Sequence, residues 1–458
     1  MATRYNYTGQ LITDGLVLNL DAAKRDSYPG SGTTWYDLSG NGNNGTLTNG
    51  PTYTGVSKDA AIVFDGTDDY GSFPTDNLPS GNSEISYNCW FKWDGTFSTS
   101  FGDFILSYGN DVGPNRVPLI LISNNGNKIL FEFGSSSGAV TSSISINSGS
   151  IVNITATYDK SFNKLYINGS PNASVSYNSA NITPLGSNGY TGGLGTLFSV
   201  YGNIGSGATR RYGAYDGNIS TAQIYNEALS QFDIWQNFNA LKGRYGIPDI
   251  VTDGLVLNLD AGNPYSYLSG SSGTTWTDVS GEGNNGTLTN GASYENGSIV
   301  FDGTDDYVTL PGIITLTDFT ATAVYKVTSL NDGWAMFFGS TDSDNFIAIG
   351  NNGVILRVQD KNSDNSDLSY TSILDQITIL QVVQSGNTNT WYINGTSVGT
   401  STNSTYAGME IDRMVHYRDG DSLGIWAGNY YYANLYNRAL TQDEITQNFN
   451  ALRGRYGI

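Results

Sequence analysis

Residues 14–22, DGLVLNLDA, recur letter for letter at 253–261. In both places Leu16, Leu18 and Leu20 (or Leu255, Leu257 and Leu259) alternate with Val, Asn and Asp, the period of two that marks a strand. Working outward, SGNGNNGTLTNG (39–50) returns as SGEGNNGTLTNG (280–291), and IVFDGTDDY (62–70) returns unchanged at 299–307. LYINGS (165–170) becomes WYINGT (391–396), and the closing NEALSQFDIWQNFNALKGRYGI (226–247) becomes NRALTQDEITQNFNALRGRYGI (437–458). The order is kept, so the chain is a tandem duplication. Each copy exceeds 200 residues, far beyond the ~20–50 residue period of a solenoid. The first motif recurs 239 residues on (14 and 253) and the last 211 on (226 and 437), so the first copy carries a net 28 extra residues between them, expected in loops.

The segments between repeats read as short strands and turns. Ile62-Val63-Phe64 stops at Asp65-Gly66, and the strand ending at Asn168 turns at Asn168-Gly169, a hairpin signal repeated at Asn394-Gly395. Val117–Ile122 is an apolar run in which Pro118 lacks an N–H, so the strand is expected to begin there or lie at an edge. One helix closes each copy. Ser230–Asp233 and Thr441–Glu444 are capping boxes; Ile234, Phe238, Leu241 and Ile445, Phe449, Leu452 form one stripe; Gly243 and Gly454 are expected stops. The reading is an all-β protein of two tandem jelly-roll β-sandwiches, each with a short C-terminal helix at 231–242 and 442–453. The predicted organisation is an N-terminal arm (1–11), a first domain (12–247), a linker (248–250) and a second domain (251–458).

Composition closes several classes. The 458 residues include 57 Gly, 31 Tyr, 1 Cys and 1 His, with 14% charged residues and a net charge of −20. The acidic balance excludes a phosphate-backbone binder, which needs clustered Lys and Arg. Cys89 alone makes neither a disulfide nor a cysteine zinc site, and His416 alone excludes multi-histidine metal sites. No apolar run approaches the ~18 residues of a membrane span, and Met1–Tyr5 has no apolar signal region. Folding in a cytoplasm is expected.

The motifs GLVLNLD, W-x-D-[LV]-S-G-x-G-N-N-G-T-L (35–47 and 276–288), F-D-G-T-D-D-Y, YING and the closing Y-N-x-A-L with its helix resemble the LamG-like jelly-roll domains of the concanavalin A-like lectin/glucanase superfamily. The resemblance implies two packed antiparallel sheets, often with a concave carbohydrate-binding face. The ending F-N-A-L-[KR]-G-R-Y-G-I is also similar to the ends of such domains in tailed-phage structural proteins, especially of marine and cyanobacterial phages. Members that cleave glucans carry a motif like E-x-D-x-x-E. Here Glu84, Glu132, Glu227, Glu282, Glu295, Glu410 and Glu444 are the only glutamates, and none falls into that spacing.

Three groups of residues are candidates for binding. Asp65, Asp68, Asp69 and Asp302, Asp305, Asp306 offer clustered hard oxygens suited to calcium, or else organise turns; Asp37 and Asp278 have the same ambiguity. Tyr430 and Tyr432 are expected to face outward if Ala433 and Leu435 face the core, with Asn429 and Asn434 as amide partners for a sugar; the same tyrosines would also serve a protein interface. Trp35 and Trp276 are expected in the core. The functional expectation is a non-enzymatic bacteriophage virion structural protein, displayed on the capsid as a decoration or on the tail. Its expected partners are other virion proteins, further copies of itself and, through lectin-like domains, glycans, with residues 1–11 as a docking arm. A bacterial cell-surface carbohydrate-binding adhesin is the alternative.

Overall fold

The computed structural model describes residues 10–100, 102–108, 116–178, 191–200, 209–268, 273–341, 345–371, 374–416 and 424–458. Two compact units meet in sequence at Ile247 and Pro248. Each is built of antiparallel strands in two main sheets, as the sequence predicts, and the first adds a small two-stranded sheet.

In the first unit, one sheet runs Ser170–Ser176, Phe162–Ile167, Ile151–Tyr158, Ile85–Trp93, Asp216–Tyr225, Ile62–Asp65, Thr52–Tyr53, with Leu16–Asp21 also paired to Asp216–Tyr225. The opposite sheet runs Lys128–Ser145, Arg116–Ser123, Gly102–Ser107, Thr191–Leu194, Tyr70–Pro74, Gly45–Thr48, Thr34–Trp35. The second unit repeats the plan. Its helix-bearing sheet is centred on Trp426–Tyr436 and Phe319–Leu330, and its opposite sheet includes Met409–Met414, Ala335–Gly339, Phe346–Gly350, Ile355–Gln359 and Asn365–Ser369. Alternate residues of both sheets meet in the middle. In the second unit Leu257, Leu259, Trp276, Phe301, Tyr325, Phe337, Trp391 and Trp426 form this core. Trp35 and Trp276 are both fully buried, as expected. Cys89 is a packing residue of the first core, where burial pushes its thiol up to about 12.

The helices begin where the caps predict. Helix α1 spans Gln231–Lys242 and α2 spans Gln442–Leu452, and in both the Ser230/Asp233 or Thr441/Glu444 capping box is complete. The first stop is as expected, α1 ending at Lys242 with Gly243 as its C-cap, whereas α2 ends at Leu452 with Arg453, not Gly454, as its C-cap. Beyond each α-helix the chain makes a further tight turn, Gly243–Tyr245 or Arg453–Arg455. The left-handed residues that end the runs are Gly246 (φ 74°) and Gly457 (φ 69°). This extra turn carries Arg244 onto Asp21 through two bonds of 2.8 and 3.0 Å, and Arg455 onto Asp260 at 2.8 and 3.0 Å. The last segment of each copy is thereby ion-paired to its first strand. Under each helix lies an Asn-Gly turn. A Cβ on Gly169 would come within 3.0 Å of Phe238 and one on Gly395 within 2.5 Å of Phe449, so glycine serves both the positive φ and the close approach.

Three expectations are corrected. The strand holding Pro118 starts earlier, at Arg116, and lies inside its sheet; Pro118 is accommodated at the register shift between Glu132 and Gly134 of the neighbouring strand. Gln10 and Leu11 are scaffold rather than arm. Gln236 donates to the Gln10 carbonyl at 2.8 Å, as Gln447 does to Asp249 at 2.8 Å, and Leu11 packs with Trp90 and Phe238. Residues 1–9 of the expected arm lie outside the described residues. The extra length of the first copy is not confined to loops. Part of it forms the two-stranded sheet Leu197–Val200 and Thr209–Tyr212.

Candidate functional site

The tyrosines picked from sequence do not face solvent. In the strand Trp426–Tyr436, Tyr430 pairs with Tyr325 and Tyr432 with Val324, so Tyr431 is bulged. The bulge inverts the alternation. Tyr430 therefore shares the core face with Ala433 and Leu435, edge-on to Trp276 at 6.1 Å, and is 0% exposed. Tyr432 does point away from that core, but beneath the helix, and is 1% exposed. Its hydroxyl accepts from Asn434 Nδ2 at 3.0 Å, and burial drives it well above the ordinary tyrosine range. Asn434 is buried, and Asn429 Nδ2 donates to Ser298 Oγ at 3.0 Å. These four residues form no sugar platform.

The acidic loops are brought together as expected. In each of Asp65/Asp68/Asp69 and Asp302/Asp305/Asp306, one carboxylate oxygen per residue lies within 4.8 Å of the others. Much of each loop is organised by its own carboxylates. Asp302 Oδ1 accepts from Thr304 N–H at 2.7 Å, and Asp306 Oδ2 accepts from Asp302 N–H at 2.9 Å. The second loop differs in one respect that suits a cation. Asp306 Oδ1 is buried without a hydrogen-bond partner, and burial, then the charges of Asp302 and Asp305, raise its carboxyl pKa. Hard oxygens suit calcium. Asp37 and Asp278 are turn organisers: Asp37 accepts from the backbone of Asn19, Ser39 and Asn43 and from Ser39 Oγ, all within 3.0 Å. Asp278 repeats the set on Asn258, Ser280 and Asn284.

A different surface carries the features of a binding face. On the opposite sheet of the second unit, Met336, Phe346 and Ala348 form a small buried apolar cluster separate from the main core, and the half-buried Trp334 packs over it. The turn Asp332-Gly333 places Trp334, Asp332 Oδ1 accepting from its N–H at 3.1 Å. A Cβ on Gly350 would come within 2.2 Å of the indole, so glycine is what lets the ring lie across the next strand. Arg357 stacks over the indole at 4.6 Å and forks to Asp367 through Nε and Nη2 at 2.6 and 2.7 Å. Of the eight tryptophans seven are buried, and Trp334 alone is half-buried.

Farther along this sheet lies a polar network. Arg413 donates to His416 Nδ1 at 2.9 Å and to Thr341 Oγ1 at 3.1 Å, while Asp412 accepts from Thr341 N–H and Oγ1 at 2.8 and 2.6 Å. A guanidinium only donates, so His416 Nδ1 is the acceptor. The single histidine is thus held in a buried scaffold network. None of Trp334, Arg357, Asp367 or Arg413 was singled out from sequence. The available signal was the Asp332-Gly333 turn immediately before a tryptophan.

No helix among the described residues is long and apolar enough to cross a membrane. No curated protein matches the sequence. Among solved structures, domain 4 of AbnA, a GH43 extracellular arabinanase from Geobacillus stearothermophilus in complex with arabinotriose, is 19% identical, covering 48% of this chain and 97% of its own, with a TM-score of 0.35. The binding domain of Paraclostridial Mosquitocidal Protein 1 is 14% identical over 84% of this chain and 92% of its own, with a TM-score of 0.38. The binding domain of botulinum neurotoxin DC in complex with rat synaptotagmin II is 13% identical over 96% and 98%, with a TM-score of 0.39. A laminin G family model matches residues 65–235 and 302–446, one segment in each sandwich, and by that match the chain belongs to the concanavalin A-like lectin/glucanases superfamily.

Proposed function

We propose that the protein is a non-enzymatic structural component of a tailed-phage particle, displayed on its capsid or tail, and that its second unit binds glycans on the face around Trp334. One observation carries the binding reading: the one tryptophan that is more than marginally exposed is fixed between Gly350 and a stacked Arg357, over a small buried apolar cluster. A ring and guanidinium held in place lose little freedom on binding. The indole supplies apolar area, while Arg357 Nη1 and the Asp367 carboxylate suit sugar hydroxyls.

The phage assignment is supported by the closing F-N-A-L-[KR]-G-R-Y-G-I of both units, which resembles domain ends of such particle proteins. The non-enzymatic reading is supported by the placement of the glutamates in the sequence. Such chemistry uses a pair of carboxylates flanking the scissile bond, and none of the seven glutamates falls into the E-x-D-x-x-E spacing of the glucan-cleaving members.

Glycan arrays with the full chain and with Trp334→Ala test the binding reading. Binding that falls at least about tenfold in the variant, roughly 1.4 kcal/mol, is expected. Equal binding by both proteins, or none by either, overturns it. Mass spectrometry of purified phage particles should find the protein, and its presence only in envelope fractions of uninfected bacteria would favour the adhesin instead.

A further inference from the structure

The loop Asp302–Asp306 of the second unit gathers negative charge that its surroundings do not offset. One carboxylate oxygen from each of Asp302, Asp305 and Asp306 lies within 4.8 Å of the other two. Like charges this close repel, and side chains on a free loop would splay apart. Here the scaffold holds them together. Asn290 Nδ2 donates to the Asp305 carbonyl at 3.0 Å, and Asn331 Nδ2 donates to the Gly303 carbonyl. The loop is thereby tied to the turns that follow Gly286–Thr289 and Phe319–Leu330. No described lysine or arginine forms an ion pair with any of the three. Lys326 is paired with Asp375, Arg357 with Asp367, Arg413 with Asp412, Arg438 with Asp253 and Glu444, and Arg455 with Asp260.

A second feature, independent of the clustering, points the same way. Asp306 is 2% exposed, and its Oδ1 is buried with no hydrogen-bond partner, while Oδ2 accepts from Asp302 N–H at 2.9 Å. Buried charges are otherwise paired or coordinate metals, because an ionised oxygen sealed from water loses far more solvation than a neutral amide or hydroxyl. Gly291 (φ 125°) stands beside this oxygen, where a Cβ would come within 3.3 Å of it, so glycine keeps that side of the carboxylate clear. A water molecule would bond Oδ1 and still leave three like charges unopposed. A cation answers both.

We propose that this loop is a calcium site, with Asp302, Asp305 and Asp306 as its side-chain ligands. Carboxylate oxygens are hard donors and select a hard cation. Calcium bonds of ~2.3–2.6 Å place opposite ligands ~4.6–5.2 Å apart, a span that covers the spacing of the three oxygens. Magnesium dehydrates reluctantly and keeps several waters around it, whereas Asp306 Oδ1 is closed to water. Calcium, with its flexible geometry, accepts one buried carboxylate and two exposed ones. The site stands apart from the glycan reading of the Trp334 face and does not depend on it.

Calorimetric titration of the full chain, stripped with chelator and held at neutral pH, tests the site with calcium chloride and separately with magnesium chloride. The titration runs to ~10 mM, above the ~10⁻³ M affinity of weak calcium modules. Saturable calcium binding is expected, with magnesium at least about tenfold weaker. Asp305→Asn and Asp306→Asn should each remove one site or weaken it at least about tenfold, since ligand charge count sets affinity. The triad Asp65/Asp68/Asp69 of the first unit stays intact in both variants, so the loss is read against any binding there. Asp305 is exposed and its variant disturbs no packing, so it decides alone if Asp306→Asn does not fold. A wild type that shows neither saturable binding nor a calcium-dependent rise in melting temperature overturns the proposal. So does wild-type binding in the variants, and equal affinity for magnesium overturns the choice of ion.

Discussion

Asp306 is the residue of the second acidic loop at which charge and burial meet. Its carboxyl pKa is raised by burial and then by Asp302 and Asp305, against the hydrogen bond from Asp302 N–H. A folded-state pKa above the ordinary ~3.9 of an unfolded Asp means that the native state binds its proton more tightly. Stability therefore falls as pH rises through the folded value and is recovered on acidification. Asp306→Asn keeps an oxygen for Asp302 N–H and removes the charge. In chelator at neutral pH it should melt a few degrees above the wild type, with the difference vanishing near pH 3. Calcium should raise the melting of the wild type and leave the variant unmoved. A variant less stable than wild type in chelator would show that the ionised carboxylate is not a penalty. The acidic triads were legible in sequence because their residues are neighbours. The facing of Tyr430 was not, because a single bulged residue, Tyr431, turns the strand's parity over and leaves no mark in the alternation.

Helix entry shows how one exchange reverses the local electrostatics of a shared element. In the second unit Arg438 forks to Glu444 at 2.9 and 2.6 Å and pairs with Asp253 at 2.9 Å. That fork, with the capping bonds from Thr441, lowers the Glu444 carboxyl pKa to about 2. In the first unit the matching residue is Glu227, whose pKa is raised by burial and then by Asp14, Asp233 and Glu84. The position thus holds a cation among carboxylates in one unit and a fourth carboxylate in the other. Glu227→Arg should raise the thermal stability of the first unit at neutral pH, by less in high salt, where exposed charges are screened. No change at low salt would sink this account. Glu444 works in the opposite pH sense. Its contribution is present above the unfolded value of ~4.3 and is lost as pH falls towards about 2, so Glu444→Gln should flatten the acid limb of the second unit's melting curve. Both helix starts were legible because the caps and the apolar stripe are local signals. The extra turn beyond each helix was not: it brings Arg244 and Arg455 to the first strands, a contact made across more than 190 residues.

At the scale of the whole molecule, the duplication was fully legible because repeated motifs need no geometry to be seen. The proposed binding face was not, since Trp334, Arg357 and Asp367 come together only when strands of the opposite sheet are laid side by side. What the duplication means physically is that each unit carries its own core, its own capped helix and its own buried Arg–Asp pair. The Arg455 and Asp260 side chains are 10% and 5% exposed, and those of Arg244 and Asp21 16% and 1%. Removing one partner from such a pair strands the other charge in a low-dielectric site at a cost of ~3–5 kcal/mol. In a unit of this size that corresponds to roughly 6–20 °C of melting temperature. Arg455→Ala strands Asp260 on the strand Leu255–Asp260, and should therefore accelerate hydrogen exchange in peptides from the second unit while those of the first keep their protection. Arg244→Ala should do the reverse. Equal loss of protection in both units from either single substitution would mean that the two sandwiches unfold as one cooperative body, and that the ion pair is not a lock private to its own unit.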